Sequence, residues 1–277
     1  MWLVHNGKIL DKSEALVPIY DPALFADFRI YETLRIEGGR VVFLEDHLRR
    51  IANSAEVIEL KLGCTFTAMQ SWIEQCISAN QTDFGIYRLI IHGDVERNQQ
   101  SQVFIYPENF VQPTADEYRQ GIKVVTFRGE RIYPAAKTIS RLTQFRAARF
   151  AKEHDAFEAI LIGEDNRVHE GVRSNLFIIK DGVLITPALA TVLPGIRRRY
   201  VIELARQLNI PVEERPVIYQ ELLAADEVFV TSTIMELAPV RRIDSRKLPA
   251  NRPIYEQLSR AFKLFKQARH YEKTSTH

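Results

Sequence analysis

Glycine-containing turn dipeptides lie between short apolar runs at several points of this chain. Asn6-Gly7 interrupts WLVHNGKIL, Gly38-Gly39 interrupts IYETLRIEGGRVVFL, and Asp181-Gly182 interrupts SNLFIIKDGVLITP. Asn-Gly and Asp-Gly suit the left-handed backbone of tight hairpin turns, which join antiparallel strands. The chain therefore contains more strands than an alternating parallel sheet requires, and we predict an α+β fold.

Helical periodicity marks the segments between these hairpins. In LEDHLRRIANSAEVIEL the apolar residues fall on one stripe, formed by Leu44, Leu48, Ile51, Ala52, Ala55 and Ile58. Further helices are predicted over FTAMQSWIEQCIS, from Arg141 to Lys152, over GIRRRYVIELARQL, and over IYEQLSRAFKLFKQA. Arg50 projects opposite the stripe, so its position predicts a solvated arginine. The run from Arg197 to Arg199 likewise predicts a solvated helix face.

A polar stretch that contains Pro107 and Pro113 is the best boundary between domains. We predict a small N-terminal α/β domain at residues 1–112, an interdomain linker at 113–120, and a larger C-terminal domain at 121–277. The C-terminal domain would carry Lys137, the lysine discussed below.

Composition narrows the possible functions. The net charge is only +2, from 37 basic and 35 acidic residues, which predicts neither a nucleic acid nor a membrane as a partner. Two cysteines make no disulfide framework, and no long apolar run stands at the start, so a cytoplasmic location is expected. Seven histidines without close ligand spacing predict no metal site.

Several residues that can carry chemistry follow one another along the second half. Lys137 in AKTISRLTQF is an ordinary lysine by composition, but Glu170 lies at the end of a strand-like run in VHEGVRSNLF. LPGIRRRY is a Pro-Gly turn before a helix, and the free N–H groups of a first helical turn can hold a phosphate. FVTSTIMELAPV ends an apolar strand with three hydroxyl side chains, Thr231, Ser232 and Thr233.

Taken in order, these segments resemble the fold-type IV pyridoxal-phosphate enzymes, which include D-amino acid and branched-chain aminotransferases and aminodeoxychorismate lyase. The matching segments are IYETLRI with FLEDHLRRI, AKTISRLTQFRAARFAKEHDAFEAILI, VHEGVRSNLFIIKDGVLITP, LPGIRRRYVIELA and ADEVFVTSTIMELAPV. The resemblance implies a two-domain α+β fold similar to D-amino acid aminotransferase, with pyridoxal 5'-phosphate in the interdomain cleft. It also implies a homodimer.

The resemblance implies a role for each chemical residue. Lys137 would hold the cofactor as an aldimine and move the substrate α-proton, and Glu170 would face the pyridine nitrogen. The phosphate ligands implied are Arg50, the backbone at Ile196 and Arg197, and the hydroxyls of Ser232 and Thr233. The sequence departs from the common family pattern at Arg141, where tyrosine is frequent, at Arg197, where a threonine hydroxyl is missing, and at Arg173, where a small or acidic residue is usual.

The residues that would bind the substrate carboxylate are less well defined. The family's D-amino acid enzymes use a tyrosine with an Arg-x-His pair, which Tyr31 and Arg97 match, although Gln99 replaces the histidine. Arg88 is flanked by apolar residues in its strand, so it needs an anionic partner, either a structural acid or a bound carboxylate. Arg29 is a further candidate. A pocket for a branched side chain would draw on Phe25, Phe28, Ile234 and Met235.

We therefore predict a pyridoxal-phosphate-dependent transaminase that moves an amino group between a small amino acid, preferably D, and a 2-keto acid. The alternatives are a 4-amino-4-deoxychorismate lyase and a branched-chain L-amino acid aminotransferase. A catalytically silent binding protein is a third class, and the presence of both Lys137 and Glu170 argues against it.

Overall fold

The computed structural model describes residues 1–96 and 100–272, with side chains described through Arg269. It divides into two compact units. The first unit contains Met1–Phe110 together with Ala136–Ser140, and the second contains Val111–Ala135 together with the chain from Arg141 onward. Within the described part of the chain, no helix is long and apolar enough to cross a membrane.

The first unit is built on an antiparallel sheet of six strands in the order β2-β1-β6-β5-β3-β4. Its elements are β1 Trp2–His5, β2 Lys8–Asp11, a 3-10 turn Lys12–Glu14, α1 Pro22–Phe25, β3 Arg29–Glu37, β4 Arg40–Val41, α2 Leu44–Val57, α3 Phe66–Ala79, β5 Gly85–His92 and β6 Gln102–Glu108. The predicted hairpins at Asn6-Gly7 and Gly38-Gly39 are confirmed, and all four turn residues have positive φ. The predicted stripe of α2 is also confirmed, since Leu48, Ile51 and Ala55 are buried in the core of this unit.

The second unit is built on a larger mixed sheet in the order β12-β11-β10-β14-β15-β7-β8-β9-β13, with β16 paired to β15. Its strands are β7 Ile122–Arg128, β8 Glu158–Ile162, β9 Arg167–Gly171, β10 Asn175–Lys180, β11 Val183–Thr186, β12 Val212–Glu214, β13 Val217–Ile218, β14 Glu227–Ser232, β15 Glu236–Ile243 and β16 Arg246–Lys247. Its helices are α4 Ala115–Gln120, α5 Leu142–Glu153, α6 Ile196–Gln207, α7 Tyr219–Ala224 and α8 Pro253–Glu272. Parallel pairs join β15 to β7 and β7 to β8, whereas β8 and β9 are antiparallel. The predicted α+β class is confirmed.

The two units do not divide the chain where the domains were predicted. Residues 113–120, the predicted linker, contain α4, whose first turn is closed by a capping box between Thr114 and Glu117. The Tyr118 hydroxyl of this helix donates a hydrogen bond to the Met235 carbonyl at 2.9 Å. The linker residues are therefore a packed part of the second unit.

Lys137 belongs to the first unit, although the prediction placed it in the C-terminal domain. The short strand β4 pairs with β3 only at Ile36 and Glu37, which leaves the other end of that edge open. The segment Ala136–Ser140 occupies this open end through an antiparallel bridge between Thr138 and Ile30. Backbone pairing that spans about a hundred residues of sequence is not visible in local patterns.

Candidate active site

Lys137 is held by its main chain. Its N–H donates a hydrogen bond to Ser54 Oγ at 3.1 Å, and its carbonyl accepts one from the Tyr31 N–H at 3.0 Å. Ser54 is a buried residue of α2, and Tyr31 is a buried residue of β3. The Cα of the lysine is therefore fixed between a helix and a strand of the first unit.

The amine of Lys137 lies beside an aromatic ring. Nζ is 4.9 Å from the centroid of the Tyr31 ring, and the guanidinium carbon of Arg88 is 4.7 Å from the same centroid. The negative face of an aromatic ring attracts cations at such distances. Two cationic groups therefore lie beside the Tyr31 ring, and one of them, Arg88, is paired with the carboxylate of Glu108.

A chain of hydrogen bonds connects Lys137 to a buried carboxylate. Ser54 Oγ donates to the Arg50 carbonyl at 2.9 Å, and Arg50 Nε and Nη2 each donate to one oxygen of Glu32 at 2.7 Å. His47 Nδ1 lies 2.8 Å from Glu32 Oε2. Burial alone would raise the pKa of Glu32, but the charges and hydrogen bonds of Arg50 and His47 together lower that pKa well below its usual range.

The prediction of a solvated Arg50 is wrong. Its side chain is only 8% exposed, because Glu32 projects toward it from β3 and the two side chains form a bidentate ion pair. Glu32 itself was missed by the sequence reasoning. Its only local signal is an acidic residue within the otherwise apolar run of β3.

The arginine candidates for the substrate carboxylate have acidic partners where they are described. Arg88 donates to Thr33 Oγ1 at 2.7 Å and to a carboxylate oxygen of Glu108. Of the two partners left open for Arg88, the structure therefore contains the structural acid. Arg29 Nη2 donates to Asp27 Oδ1 at 2.9 Å. Arg97 and Gln99 lie outside the described residues.

Glu170 is held by its carboxylate. In the second unit, Oε1 accepts a hydrogen bond from Arg131 Nε at 2.6 Å, and Oε2 accepts one from the Leu193 N–H at 2.9 Å. Glu170 is 2% exposed and Arg131 is 9% exposed. With one donor on each oxygen, the carboxylate has a fixed orientation. Sequence reasoning missed Arg131, which is far from Glu170 along the chain and has no distinctive neighbours.

The N-terminus of α6 has no side-chain cap. Gly195 occupies the N-cap position and has no side chain that could cap the first turn. A Cβ at Gly195 would lie 1.9 Å from Asn175 Oδ1, so the close approach of Asn175 requires glycine. The first-turn N–H groups of Ile196 and Arg197 have no intrahelical acceptor and suit an anion.

Hydroxyl side chains at the end of β14 lie near this helix terminus. Arg197 Nη1 donates to Thr233 Oγ1 at 3.0 Å, and Ser232 Oγ accepts a hydrogen bond from the Met235 N–H at 3.0 Å. Thr231 Oγ1 is buried and makes no hydrogen bond within the described part of the chain. The end of β14 and the start of α6 therefore bring together the residues predicted to bind phosphate in this unit.

The predicted solvated face of α6 is wrong for two of its three arginines. Arg197 and Arg198 are 2% and 3% exposed, whereas Arg199 is exposed. Arg198 Nη2 donates to the Pro187 carbonyl at 2.9 Å and to Glu214 at 3.0 Å. These acceptors neutralise a buried cation that local sequence would place in solvent.

Arg173 and Arg141 stand where the common family pattern differs. Arg173 Nη2 donates to the Phe157 carbonyl at 3.1 Å, and its Nε lies 3.8 Å from Glu158. Glu158 is fully buried, and burial raises the pKa of its carboxyl despite Arg173 and a 3.3 Å hydrogen bond from Ser174 Oγ. Arg141 is the N-cap residue of α5, and its carbonyl accepts the Phe145 N–H at 2.8 Å.

The chemistry of these groups fits pyridoxal phosphate. A half-buried lysine amine suits an aldehyde, and a fixed, buried carboxylate suits a protonated ring nitrogen. An uncapped helix terminus next to hydroxyl groups suits a phosphate. Each of the three functional groups of the cofactor thus has a matching group in one of the two units.

Comparisons with known proteins point to one family. The family model for amino-transferase class IV matches residues 29–243. D-alanine aminotransferase of Bacillus licheniformis is 32% identical over 261 residues, which cover 91% of this chain and 92% of that protein. A putative branched-chain-amino-acid aminotransferase of Methanocaldococcus jannaschii is 29% identical over 279 residues and 95% of each chain.

The fold is also found among solved structures. The branched-chain aminotransferase of Thermoproteus uzoniensis, solved with norvaline, superimposes with a TM-score of 0.87 and 27% sequence identity. The match covers 96% of this chain and 95% of that one. The similarity therefore extends over both units.

Proposed function

Because this chain belongs to the class IV aminotransferase family, whose members are pyridoxal-phosphate-dependent transferases, we propose that it moves the amino group between a small amino acid, preferably of D configuration, and a 2-keto acid. The observation that carries the substrate proposal is the 32% identity to a D-alanine aminotransferase over nearly the whole length of both chains. Several further D-alanine aminotransferases share about this level of identity, for example 30% over 94% of this chain for one from Staphylococcus aureus.

Lys137 is the proposed catalytic residue. When bound, pyridoxal phosphate supplies an aldehyde that joins to an amine and a ring that withdraws electrons from the substrate α-carbon. Lys137 Nζ would hold the cofactor in the resting enzyme and then move the proton at the substrate α-carbon as base and acid. The hydrogen bonds of its main chain to Ser54 and Tyr31 support this role, because they fix the point from which the side chain swings.

Glu170 is the proposed partner of the ring nitrogen. An ionised carboxylate accepts a hydrogen bond from the N–H of a pyridinium and stabilises its positive charge. The donors on Glu170, Arg131 and the Leu193 N–H, prevent the carboxylate from rotating. Because each oxygen has further lone pairs, a third donor can be accepted without breaking these contacts.

The proposed phosphate ligands are the Ile196 and Arg197 N–H groups, the Ser232 and Thr233 hydroxyls, and Arg50. The uncapped terminus of α6 and the hydrogen bond from Arg197 to Thr233 support the ligands of the second unit. The support for Arg50 is less direct, because its ion pair with Glu32 only holds the guanidinium in one orientation.

For the substrate carboxylate we propose Tyr31 and Arg97, with Arg88 as a second choice. Tyr31 lies beside the Lys137 amine. Arg88 and Arg29 already have acidic partners, and binding a substrate there would require them to be displaced. Arg97→Ala should therefore raise the KM for the amino acid about 10-fold or more, while Arg88→Ala should change it less.

We propose that the chain forms a homodimer and works in a reducing compartment such as the cytoplasm. Four large apolar side chains of the first unit are about four-fifths exposed, namely Leu16 at 80%, Ile19 at 80%, Tyr20 at 81% and Phe25 at 81%. Large exposed apolar side chains that lie close together in the sequence suit a protein interface. Cys64 and Cys76 are free thiols, as expected in a reducing environment. Light scattering coupled to size-exclusion chromatography measures the number of chains in the assembly directly.

A branched-chain L-amino acid aminotransferase is the second candidate. The similarity to the Methanocaldococcus jannaschii and Thermoproteus uzoniensis proteins favours it. The apolar pocket predicted for such an enzyme is supported only in part, because Met235 is buried in the core of the second unit and Phe28 packs against the core of the first. The lyase alternative shares the same lysine and glutamate and differs in releasing pyruvate.

Visible spectroscopy on the cofactor-loaded protein tests these proposals. D-alanine, D-glutamate, L-leucine and L-glutamate are added separately, and the absorption of the bound cofactor is followed together with the keto acid formed. A change in absorption with the D-amino acids supports the proposal. A change with L-leucine and L-glutamate instead assigns the chain to the branched-chain aminotransferases. A response to none of the four, with pyruvate released from aminodeoxychorismate, identifies the lyase.

A further inference from the structure

Three potential metal ligands of the second unit converge on a small space beside Gly163. One side-chain oxygen each of Glu130 and Asp165 and one ring nitrogen of His169 lie within 4.8 Å of one another. A Cβ at Gly163 would lie 2.5 Å from Glu130 Oε1, 2.8 Å from His169 Nε2 and 2.9 Å from Asp165 Oδ1. The absence of a methyl group at Gly163 thus leaves room that is lined by three ligand atoms.

His169 is the unusual member of this cluster. It is 5% exposed, and neither of its ring nitrogens makes a hydrogen bond within the described part of the chain. Nε2 lies 3.6 Å from Glu130 Oε1, beyond hydrogen-bonding distance. Buried polar atoms without partners cost free energy, and a bound ion is one of the few explanations for such an atom.

The two carboxylates have capacity for an ion. Asp165 Oδ1 accepts the Arg167 N–H at 3.0 Å and Oδ2 lies 3.2 Å from Arg167 Nε, while its remaining lone pairs are available. The side chains of Glu130 and Asp165 are 57% and 52% exposed, so the cluster opens to solvent on their side. Arg128 Nη1 donates to the Gly163 carbonyl and holds the loop. An ion would have an entry path and access to water.

The geometry points to a divalent transition-metal site of the zinc class formed by Glu130, Asp165 and His169. Two ligands on a tetrahedral Zn²⁺ lie about 3.4 Å apart at normal bond lengths, close to the observed 3.6 Å between His169 and Glu130. One imidazole with two carboxylates suits Zn²⁺ or Mn²⁺, whereas Ca²⁺ and Mg²⁺ prefer oxygen ligands alone. Water takes the remaining position.

The site lies directly behind the proposed cofactor partner. Glu130 precedes Arg131 in the chain, and His169 precedes Glu170 on β9, where successive side chains point to opposite faces. Arg131 and Glu170 form an ion pair on one side, and Glu130 and His169 approach each other on the other. A bound ion would therefore brace the main chain under both members of the ion pair. The metal site itself does not depend on the proposed reaction.

Metal binding to the untagged, pyridoxal-phosphate-loaded enzyme tests the proposal. After chelator treatment and removal of free cofactor, the enzyme is dialysed against Zn²⁺ or Mn²⁺, and bound metal is measured by mass spectrometry. We expect about one ion per chain and a raised unfolding temperature, because a ligand that binds only the folded state stabilises it. Excess Ca²⁺ should not displace the ion.

Variants locate the ion. Glu130→Gln and Asp165→Asn change exposed side chains, His169→Gln removes the imidazole, and Gly163→Ala fills the space. Each should weaken binding about 100-fold or more and remove the Zn²⁺-dependent rise in unfolding temperature. Two matched controls alter exposed side chains that are not among the three ligands and should keep the ion. His154→Gln lies in another part of the chain, and Glu164→Gln lies in the same turn, between Gly163 and Asp165. Absence of binding by the unaltered enzyme, or undiminished binding by Glu130→Gln and Gly163→Ala, would overturn the proposal.

Discussion

The lysine region of the first unit and the glutamate region of the second hold their functional side chains in opposite ways. Lys137 is anchored through its main chain, by Ser54 and Tyr31, and its amine extends from that anchor over the Tyr31 ring. Glu170 is anchored through its carboxylate, with Arg131 on one oxygen and the Leu193 N–H on the other.

This difference matches what each group would have to do. A residue that moves a proton between atoms needs a fixed origin and a side chain that can change position. A residue that stabilises a charge needs a fixed carboxylate, since preorganised charges act without reorganisation during the reaction. Substituting Lys137 itself should therefore affect activity alone, whereas substituting Glu170 should affect activity together with stability.

The largest expected effect is the loss of turnover in Lys137→Ala. Without the amine, we expect kcat to fall by more than about 10³-fold, because no other group supplies the proton transfer. The free energy of unfolding should change by less than about 0.5 kcal/mol, since the anchoring bonds use main-chain atoms. Steady-state kinetics and urea unfolding measure the two quantities, and Lys152→Ala, an exposed lysine of α5, is the control. Substantial transamination by the variant would refute the assignment of the lysine.

Glu170→Gln should lower both kcat and the free energy of unfolding. Removing the charge should lower kcat by about 10²-fold or more, because the charge opposite the ring nitrogen is lost. It should also lower the free energy of unfolding by about 2–3 kcal/mol, because Arg131 remains buried without its carboxylate. Glu164→Gln, at an exposed position, should change neither quantity. An unchanged rate would reject an electronic role for Glu170.

Glu32→Gln tests the charge that supports the lysine region. We expect a loss of about 2–3 kcal/mol in the free energy of unfolding at neutral pH, because Arg50 and His47 lose their shared acceptor. The folded-state pKa of Glu32 lies below the unfolded value, so its contribution is complete above about pH 4.3 and is lost as the pH falls toward the folded pKa.

Urea unfolding between pH 8 and pH 3 gives the difference in the free energy of unfolding between the unaltered protein and Glu32→Gln at each pH. The difference should stay constant from pH 8 to about pH 5 and decrease below about pH 4.3. A difference that grows with acidification would show that the ion pair does not stabilise the folded state.

Ser54→Ala breaks the link between Lys137 and Arg50. The hydroxyl accepts from one and donates to the other, so its removal should cost about 1 kcal/mol of stability. If the link positions the lysine, kcat should fall several-fold, by about 1 kcal/mol in the activation barrier, while the KM for the amino acid stays nearly constant. Ser13→Ala removes an exposed hydroxyl that donates to Asp11 Oδ1, and it is a matched control for which we expect no change in kcat. An unchanged kcat in Ser54→Ala would limit this serine to stability.

The smallest expected effect concerns Glu158, another buried carboxyl of the second unit. Burial raises the pKa of this group, so ionisation opposes folding above about pH 4.3, and increasingly so until the pH passes the folded pKa. Glu158→Gln should therefore be as stable as the unaltered protein at pH 4 and up to about 1 kcal/mol more stable at pH 8. A variant that is less stable at pH 8 would show that Arg173 compensates the charge fully, as Arg50 does for Glu32.

Much of the fold was predictable because its signals are local. The apolar stripe of α2 and the hairpins at Asn6-Gly7 and Gly38-Gly39 follow from residue spacing and backbone preference. The interpretation of single arginines was less successful. Arg50, Arg197 and Arg198 look solvated from their own helices, yet each is buried next to an acceptor from another element.

The amino-acid sequence by itself determined the α+β class, the order of the elements and the family, since these depend on patterns within short segments. Only the tertiary structure decided that Arg131 pairs with Glu170, that Arg50 pairs with Glu32, and that His169 faces Glu130. In each of these pairs the partners are many residues apart, and chain topology and strand register bring them together. The free energy of a buried charge depends on the partner it meets there, which residue spacing does not reveal.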